Sequence, residues 1–252
     1  MATREDGDLT RRRMLATAGL SAGGLLAFAQ SGDAQQRTKR AEERAEKAQE
    51  KARETEKEET RVSAPEDLMR EHAVLHRLLL IYERIAARQS RGEEWPAKTL
   101  AESARLIQRF VEEYHQKLEE DYVFPAFEKA GRDADLVAVL RKQHDAATAL
   151  TRSILKDASE PKEKADVKRL MGDMRAYVRM YLPHSAREGS VLFPDLHMVV
   201  GPKEYDEMGD RFEEIEDKRF GENGFRKVVA QVAELEKTIG TYELAEFTPK
   251  VV

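Results

Sequence analysis

Between residues 63 and 200 the apolar positions recur with helical spacing in four long stretches, separated by short turn signals. The first opens at Ser63-Ala-Pro-Glu66, where Ser63 is placed to cap, Pro65 is tolerated in the first turn and Glu66 can reach back. Its inner stripe reads Leu68, His72, Leu75, His76 and Leu79, and it ends near Gln89, before Ser90-Arg-Gly92. A second helix is predicted from about Pro96 to Lys129, with Ile107, Val111, His115, Leu118, Glu119 and Tyr122 on one face and Gly131 as its stop. The third follows Asp133 and ends before Ser159-Glu-Pro161, carrying Leu140, His144, Ala147 and Ile154. The fourth spans about Pro161 to Val199 and carries Tyr177, Met180, His184, Glu188 and Val191. Pro183 lies inside it and should kink it, because proline lacks the backbone donor and crowds the preceding turn.

Long amphipathic helices with short links predict an all-α fold, an antiparallel up-down four-helix bundle over residues 63–200. Residues 201–252 form a C-terminal extension. After Gly201-Pro202 it holds two additional C-terminal helices, roughly 203–218 and 224–239, and a tail extended from Gly240. Their apolar residues, Met208, Phe212 and Ile215 in one and Phe225, Val228, Val229, Val232 and Leu235 in the other, can pack beside the bundle or form a homodimer surface.

The N-terminal side reads differently. Residues 30–62 are a charged spacer, helical or disordered: from 35 to 61 Lys and Arg alternate with Glu, and no large apolar side chain precedes Val62. Residues 1–29 resemble a twin-arginine signal peptide. Thr10-Arg-Arg-Arg-Met-Leu15 leads into an uncharged stretch from Met14 to Ala29, and Ala27-Phe-Ala29 supplies a small-x-small cleavage pattern. Met14 and Ala16 depart from that pattern. The stretch is short and glycine-rich for a spanning helix, so the resemblance implies export of a folded protein, with no membrane association after cleavage. The competing expectation is an uncleaved membrane anchor.

With 36% charged residues and a mean hydropathy of −0.67, the core must come from strongly amphipathic helices. The net charge of −5, with no basic patch, excludes a nucleic-acid footprint. The chain has no cysteine, so any metal must be held by nitrogen and oxygen.

The candidate chemistry lies in a doubled motif. His115-Gln-Lys-Leu-Glu119 is closed by Phe124-Pro125, and His184-Ser-Ala-Arg-Glu188 by Phe193-Pro194. His72 precedes the first copy and His144 the second. Residues four apart on a helix share a face, with Cβ atoms about 5–6 Å apart, so each pair can point inward together. An imidazole offers one nitrogen to one metal, whereas a carboxylate can bridge two. The candidate metal ligands are therefore His72, His76, His115, Glu119, His144, His184 and Glu188. His76 has Thr148 as its counterpart in the second half. His197, beyond Phe193-Pro194, is not expected to ligate. Tyr114, Tyr122, Tyr177 and Tyr181 flank the ligands and are expected to pack the core or to hydrogen-bond to them. A bundle with Glu-x-x-His on two helices fails, because Glu112 precedes His115 but Tyr181 stands in the second Glu position.

On these motifs, over residues 66–198, the chain resembles the hemerythrin-like family in its bacterial cation-binding branch. The resemblance implies a non-haem di-iron centre, two iron ions bridged by carboxylates, that binds dioxygen or another small ligand. By matching position, His72, His76 and His115 would hold one iron and His144 and His184 the other, with Glu119 and Glu188 bridging. The iron with fewer imidazoles would keep an open position. The His-x3-His pair lies on the first helix rather than the third, and Glu188 stands four residues after its histidine where oxygen carriers have an aspartate at five. Iron holding or ligand binding is the leading expectation. An oxidoreductase acting on peroxide or nitrogen oxides is the alternative, a metal-dependent sensor the third, and zinc or manganese would also suit the donors.

Overall fold

The computed structural model describes residues 62–159 and 163–251, together with Lys39, Arg44, Glu46 and Lys47. Residues 58–252 make one compact unit. The signal-peptide segment lies outside the described residues, as does most of the charged spacer, whose four described positions are helical and exposed.

All regular structure among the described residues is helical. Helix α1 is Ala64–Ser90. Helix α2, residues 97–130, changes its winding: α-helical over Ala97–Leu106, π-helical over Ile107–His115, a short α-helical stretch, π-helical again over Glu119–Val123, then α-helical over Phe124–Ala130. Helix α3 is Ala134–Ser159. Helix α4, residues 164–199, is α-helical over Lys164–Arg187, π-helical over Glu188–Leu192 and α-helical over Phe193–Val199. Two more helices follow, α5 (Pro202–Phe220) and α6 (Gly224–Ile239), and the tail holds a single 3₁₀ turn at Leu244–Phe247. No helix among the described residues is long and apolar enough to cross a membrane.

Local chemistry explains the helix ends. Ser63 accepts a hydrogen bond from the Glu66 amide, Pro65 sits in the first turn, and Glu66 and Asp67 add negative charge there. At the other end of α2, Gly131 adopts φ 64°, and the Arg132 amide reaches back to the Phe127 carbonyl. That closure needs a left-handed residue, a conformation glycine adopts without a Cβ penalty.

The π-helical turns give the Phe-Pro pairs a physical role. Pro125 and Pro194 have no amide to donate and crowd the carbonyl four residues back, which a regular helix does not tolerate. Widening the preceding turn relieves that conflict. The amide of Phe124 then bonds to the Glu119 carbonyl, and that of Phe193 to the Glu188 carbonyl, five residues back in both. Each bulge begins on a motif glutamate, and such bulges concentrate at functional positions. Pro183, by contrast, lies within a stretch that stays α-helical to Arg187. The expected irregularity falls five residues later, at Glu188.

The core runs the length of the bundle. Leu68, Leu75, Leu79, Val111, Leu118, Leu140, Ala147, Ile154 and Tyr177 are buried along the stripes read from periodicity. Helix α1 packs on α4, α4 on α3, and α3 on α2. Helices α5 and α6 pack on α1, and α6 also on α2, so their apolar residues Met208, Phe212, Val228, Val232 and Leu235 are used within the chain. Gly209 of α5 lies so close to the start of α1 that a Cβ there would meet the Val62 carbonyl oxygen at 2.8 Å. Gly209→Ala should therefore force the helices apart and cost about 1–3 kcal/mol, lowering the midpoint of thermal unfolding followed by circular dichroism. An unchanged midpoint would show that α5 is free to shift.

Candidate metal centre

Four helices each contribute to one buried cluster. His72 comes from α1, His115 and Glu119 from α2, His144 from α3, and His184 and Glu188 from α4; none is more than 5% exposed. Two groups of donors are close enough to share an ion: His72, His115 and Glu119, and Glu119, His144, His184 and Glu188. Glu119 belongs to both.

The orientation of Glu119 explains that membership. Its Oε1 lies 3.4 Å from His115 Nε2, and its Oε2 lies 3.4 Å from His144 Nε2. One oxygen thus faces each half. Glu188 places Oε2 3.3 Å from His72 Nε2 and 3.2 Å from His184 Nε2. These separations suit ligands sharing an ion better than hydrogen bonds. Two donors each about 2.0–2.2 Å from a metal stand about 3.0–3.5 Å apart.

The hydrogen-bond state of the cluster agrees. The Nε2 atoms of His72, His115, His144 and His184 and both carboxylate oxygens of Glu119 and Glu188 are buried without a hydrogen-bond partner among the described residues. Leaving a buried polar atom unpaired costs about 1–3 kcal/mol, more for a charged one. Eight such atoms converging would consume a large share of the roughly 5–15 kcal/mol by which a domain is stable. Their donor set, imidazole nitrogen and carboxylate oxygen, fits iron, zinc or manganese.

The opposite edge of three of the imidazoles is held. His115 Nδ1 pairs with Glu71 Oε2 at 2.7 Å, His144 Nδ1 with Glu120 Oε1 at 2.9 Å, and His184 Nδ1 with Gln143 Oε1 at 2.8 Å. An acceptor at Nδ1 keeps the proton on that nitrogen and turns the Nε2 lone pair toward the cluster. Glu71 and Gln143 occupy matching positions, one residue before His72 and His144 respectively. Glu120 has Gly189 as its counterpart, so His72 lacks the corresponding support.

His76 is not brought into either group. Its Nε2 donates to Ser185 Oγ at 2.7 Å, while that hydroxyl donates to the Tyr181 carbonyl at 2.9 Å. The ring lies 6.5 Å from that of His72, half-buried at the side of the cluster. One turn beyond His72 the helix has already rotated toward α4, and a serine takes its donor. The expected inequality of three imidazoles against two becomes two imidazoles in each half, and the asymmetry moves to the groups behind them. His197 is exposed and bonds to the Pro194 carbonyl.

Of the flanking tyrosines, Tyr181 lies with its ring 4.7 Å from that of His184, and its hydroxyl accepts from Gln116. Tyr177 stacks on Tyr181, Tyr114 packs on Phe220, and half-buried Tyr122 packs on Phe212. Periodicity marks inward faces but not the residues beside them, which is why Glu71, Glu120 and Gln143 were missed. Their one signal in the sequence is adjacency, since each stands immediately beside a proposed ligand.

The profile of the hemerythrin HHE cation-binding domain matches residues 63–196. The chain belongs to this family. Uncharacterised proteins of Mycobacterium tuberculosis and Mycobacterium bovis are 47% identical to it over 194 residues, covering 76% of this chain and 76% of each of theirs. No solved structure matches the chain.

The electrostatics of the cluster point to a cation. Burial pushes Glu71 up to about 8, against the opposing Tyr114 hydroxyl, and burial with the Glu71 charge pushes Asp67 up to about 7. Burial alone would lower His144, but the Glu119 and Glu120 carboxylates raise it to about 9. Burial alone would raise Glu188, but the His184 and His72 imidazoles hold it well below the usual carboxylate range. For Asp67 and Glu71 the folded chain keeps protons that the unfolded chain has lost above about pH 4.5, and for His144 above about 6.5. Stability of the metal-free protein should therefore fall from about pH 4.5 to 9, and urea midpoints measured at pH 6 and 8.5 should show it. A rise across that interval would contradict these assignments. Glu71→Gln should weaken metal binding by about tenfold or more in chelator competition, because it replaces the carboxyl group that holds His115 Nδ1.

Proposed function

We propose that the chain is a non-haem di-iron protein in which His72, His115, Glu119, His144, His184 and Glu188 would hold two iron ions, and that it binds dioxygen or a related small ligand. The observation carrying this reading is the convergence of four imidazole Nε2 atoms and two carboxylates, buried and without hydrogen-bond partners among the described residues, in two groups that share Glu119. In this reading α1 to α4 run antiparallel, up and down, with α5 and α6 as additions. His72 and His115 serve one ion, His144 and His184 the other. Bound there, the irons would supply reversible redox chemistry and a coordination position for a small ligand. The protein's own part is to hold the imidazoles in one tautomer, to neutralise two cations with two buried carboxylates, and to exclude bulk water with Leu118, Phe124, Tyr181 and Phe193. Phe193 lies against the His72 ring and Phe124 against that of His144, at 5.4 Å in both.

The support that Glu71, Glu120 and Gln143 give three of the imidazoles favours holding over turnover, because it fixes the donors in place. We further propose that residues 1–29 direct export by the twin-arginine route, which carries proteins already folded around their metal.

Metal analysis of the purified protein, with its optical spectrum under oxygen, tests the reading. Two irons per chain and an absorption from an oxygen-bridged pair are expected, with both lost in Glu119→Ala. One zinc, or no metal, would sink it. Rapid breakdown of hydrogen peroxide, abolished in His144→Ala, would replace ligand binding by the enzymatic alternative.

A further inference from the structure

A cleft of about 460 Å³ opens between α2 and α3 under the end of α5. His144, a proposed ligand only 2% exposed, lines it, as does Glu120, which holds that imidazole by its Nδ1. Glu112, Glu113 and Asp145 make four carboxylates with Glu120, against the two cations Lys117 and Arg219. An acidic cleft on its own is an ordinary solvated surface. Glu112 distinguishes this one: it is 6% exposed, burial raises its carboxyl with the Thr151 hydroxyl beside it as the main opposing group, and its Oε1 makes no hydrogen bond among the described residues. A buried carboxylate oxygen left unpaired is expensive unless something comes to it. The second half of the molecule offers no equivalent, since Tyr181 stands in the position matching Glu112.

The geometry points to this cleft as the route by which a divalent cation reaches the centre, with Glu112 as a transient ligand and His144 as the point of transfer. The inference rests on the metal-binding reading and adds to it the path and the group that serves it. A like-signed cleft with low-dielectric walls raises the local concentration of counter-ions and speeds their capture. At its mouth Arg219 donates to Glu113 at 2.6 Å and offsets part of that field. Another cleft, beside Tyr82, is walled by Ala86, Met174, Val178 and Leu182 and sets a single carboxylate, Glu83, against the two cations Arg175 and Arg179.

Stopped-flow uptake of cobalt(II) by the full chain, followed by its visible absorption, tests the route. Glu112→Gln should bind the same amount of cobalt as the unaltered protein but take it up about three- to tenfold more slowly. Arg219→Ala should accelerate uptake by a similar factor at low ionic strength, an effect that vanishes in about 0.5 M salt. Arg211→Ala is the matched control: it removes the same charge, from an Arg211–Glu214 pair on a different acidic groove. Should Glu112→Gln fail to fold, the Arg219 and Arg211 variants decide between themselves, because both positions are on the surface. The route is overturned if Glu112→Gln and Arg219→Ala load at the original rate, or if Arg211→Ala accelerates uptake as much as Arg219→Ala. A protein that takes up cobalt normally while these variants leave its rate unchanged rejects the route and keeps the metal site. One that binds no cobalt at all rejects both.

Discussion

Two carboxylates buried at the centre of a helical core are the constraint on which this molecule turns. Glu119 and Glu188 are fully buried, and the four imidazole nitrogens facing them lie too far or too poorly aligned to bond to them. In a low-dielectric interior such an arrangement is unfavourable unless a cation closes it. The surrounding apolar shell makes the demand stronger, because it removes the water that would otherwise screen those charges.

The backbone bends to meet this demand in the same way twice. Each glutamate opens a π-helical turn, and each turn ends at a phenylalanine followed by proline. The proline makes the regular turn untenable, the wider turn resets the face on which the glutamate lies, and the phenylalanine closes over an imidazole. His115 and Glu119 each belong to a π-helical turn of α2, so two members of the buried cluster depend on a winding that simple helical periodicity does not describe.

The near-twofold relation between the halves holds for the ligands and fails behind them. Glu71 backs His115 with a carboxylate, whereas Gln143 backs His184 with an amide. Glu120 backs His144, and Gly189 leaves His72 without the equivalent. Each half thus has one carboxylate behind one of its imidazoles, and the halves differ in the other imidazole, which an amide holds at His184 and nothing equivalent holds at His72. A polar cleft is lined by His144, in the second of these halves. The C-terminal helices contribute to this inequality, since α5 carries Arg219 to the mouth of that cleft and Glu216 into the electrostatic surroundings of Asp67 and Glu71.

Helical period, cap and stop signals were enough to place α1, α3, α5 and α6 within a few residues, because those signals are local. The buried cluster of His72, His115, Glu119, His144, His184 and Glu188 was legible for the same reason: His-x3-Glu places two donors on one face whatever the rest of the chain does. His76 shows where that logic stops. It shares the spacing of a ligand, but only the packing of α1 against α4 decides that Ser185 takes its nitrogen instead. The π-helical turns, the groups behind the imidazoles and the cleft are likewise products of how helices meet. The sequence by itself determined which faces are buried and which imidazoles and carboxylates share them, since both follow from the order of side chains along one helix. Only the tertiary structure decided how those atoms converge, what stands behind each of them and from which side the centre is reached, because these depend on distances between residues the chain keeps far apart.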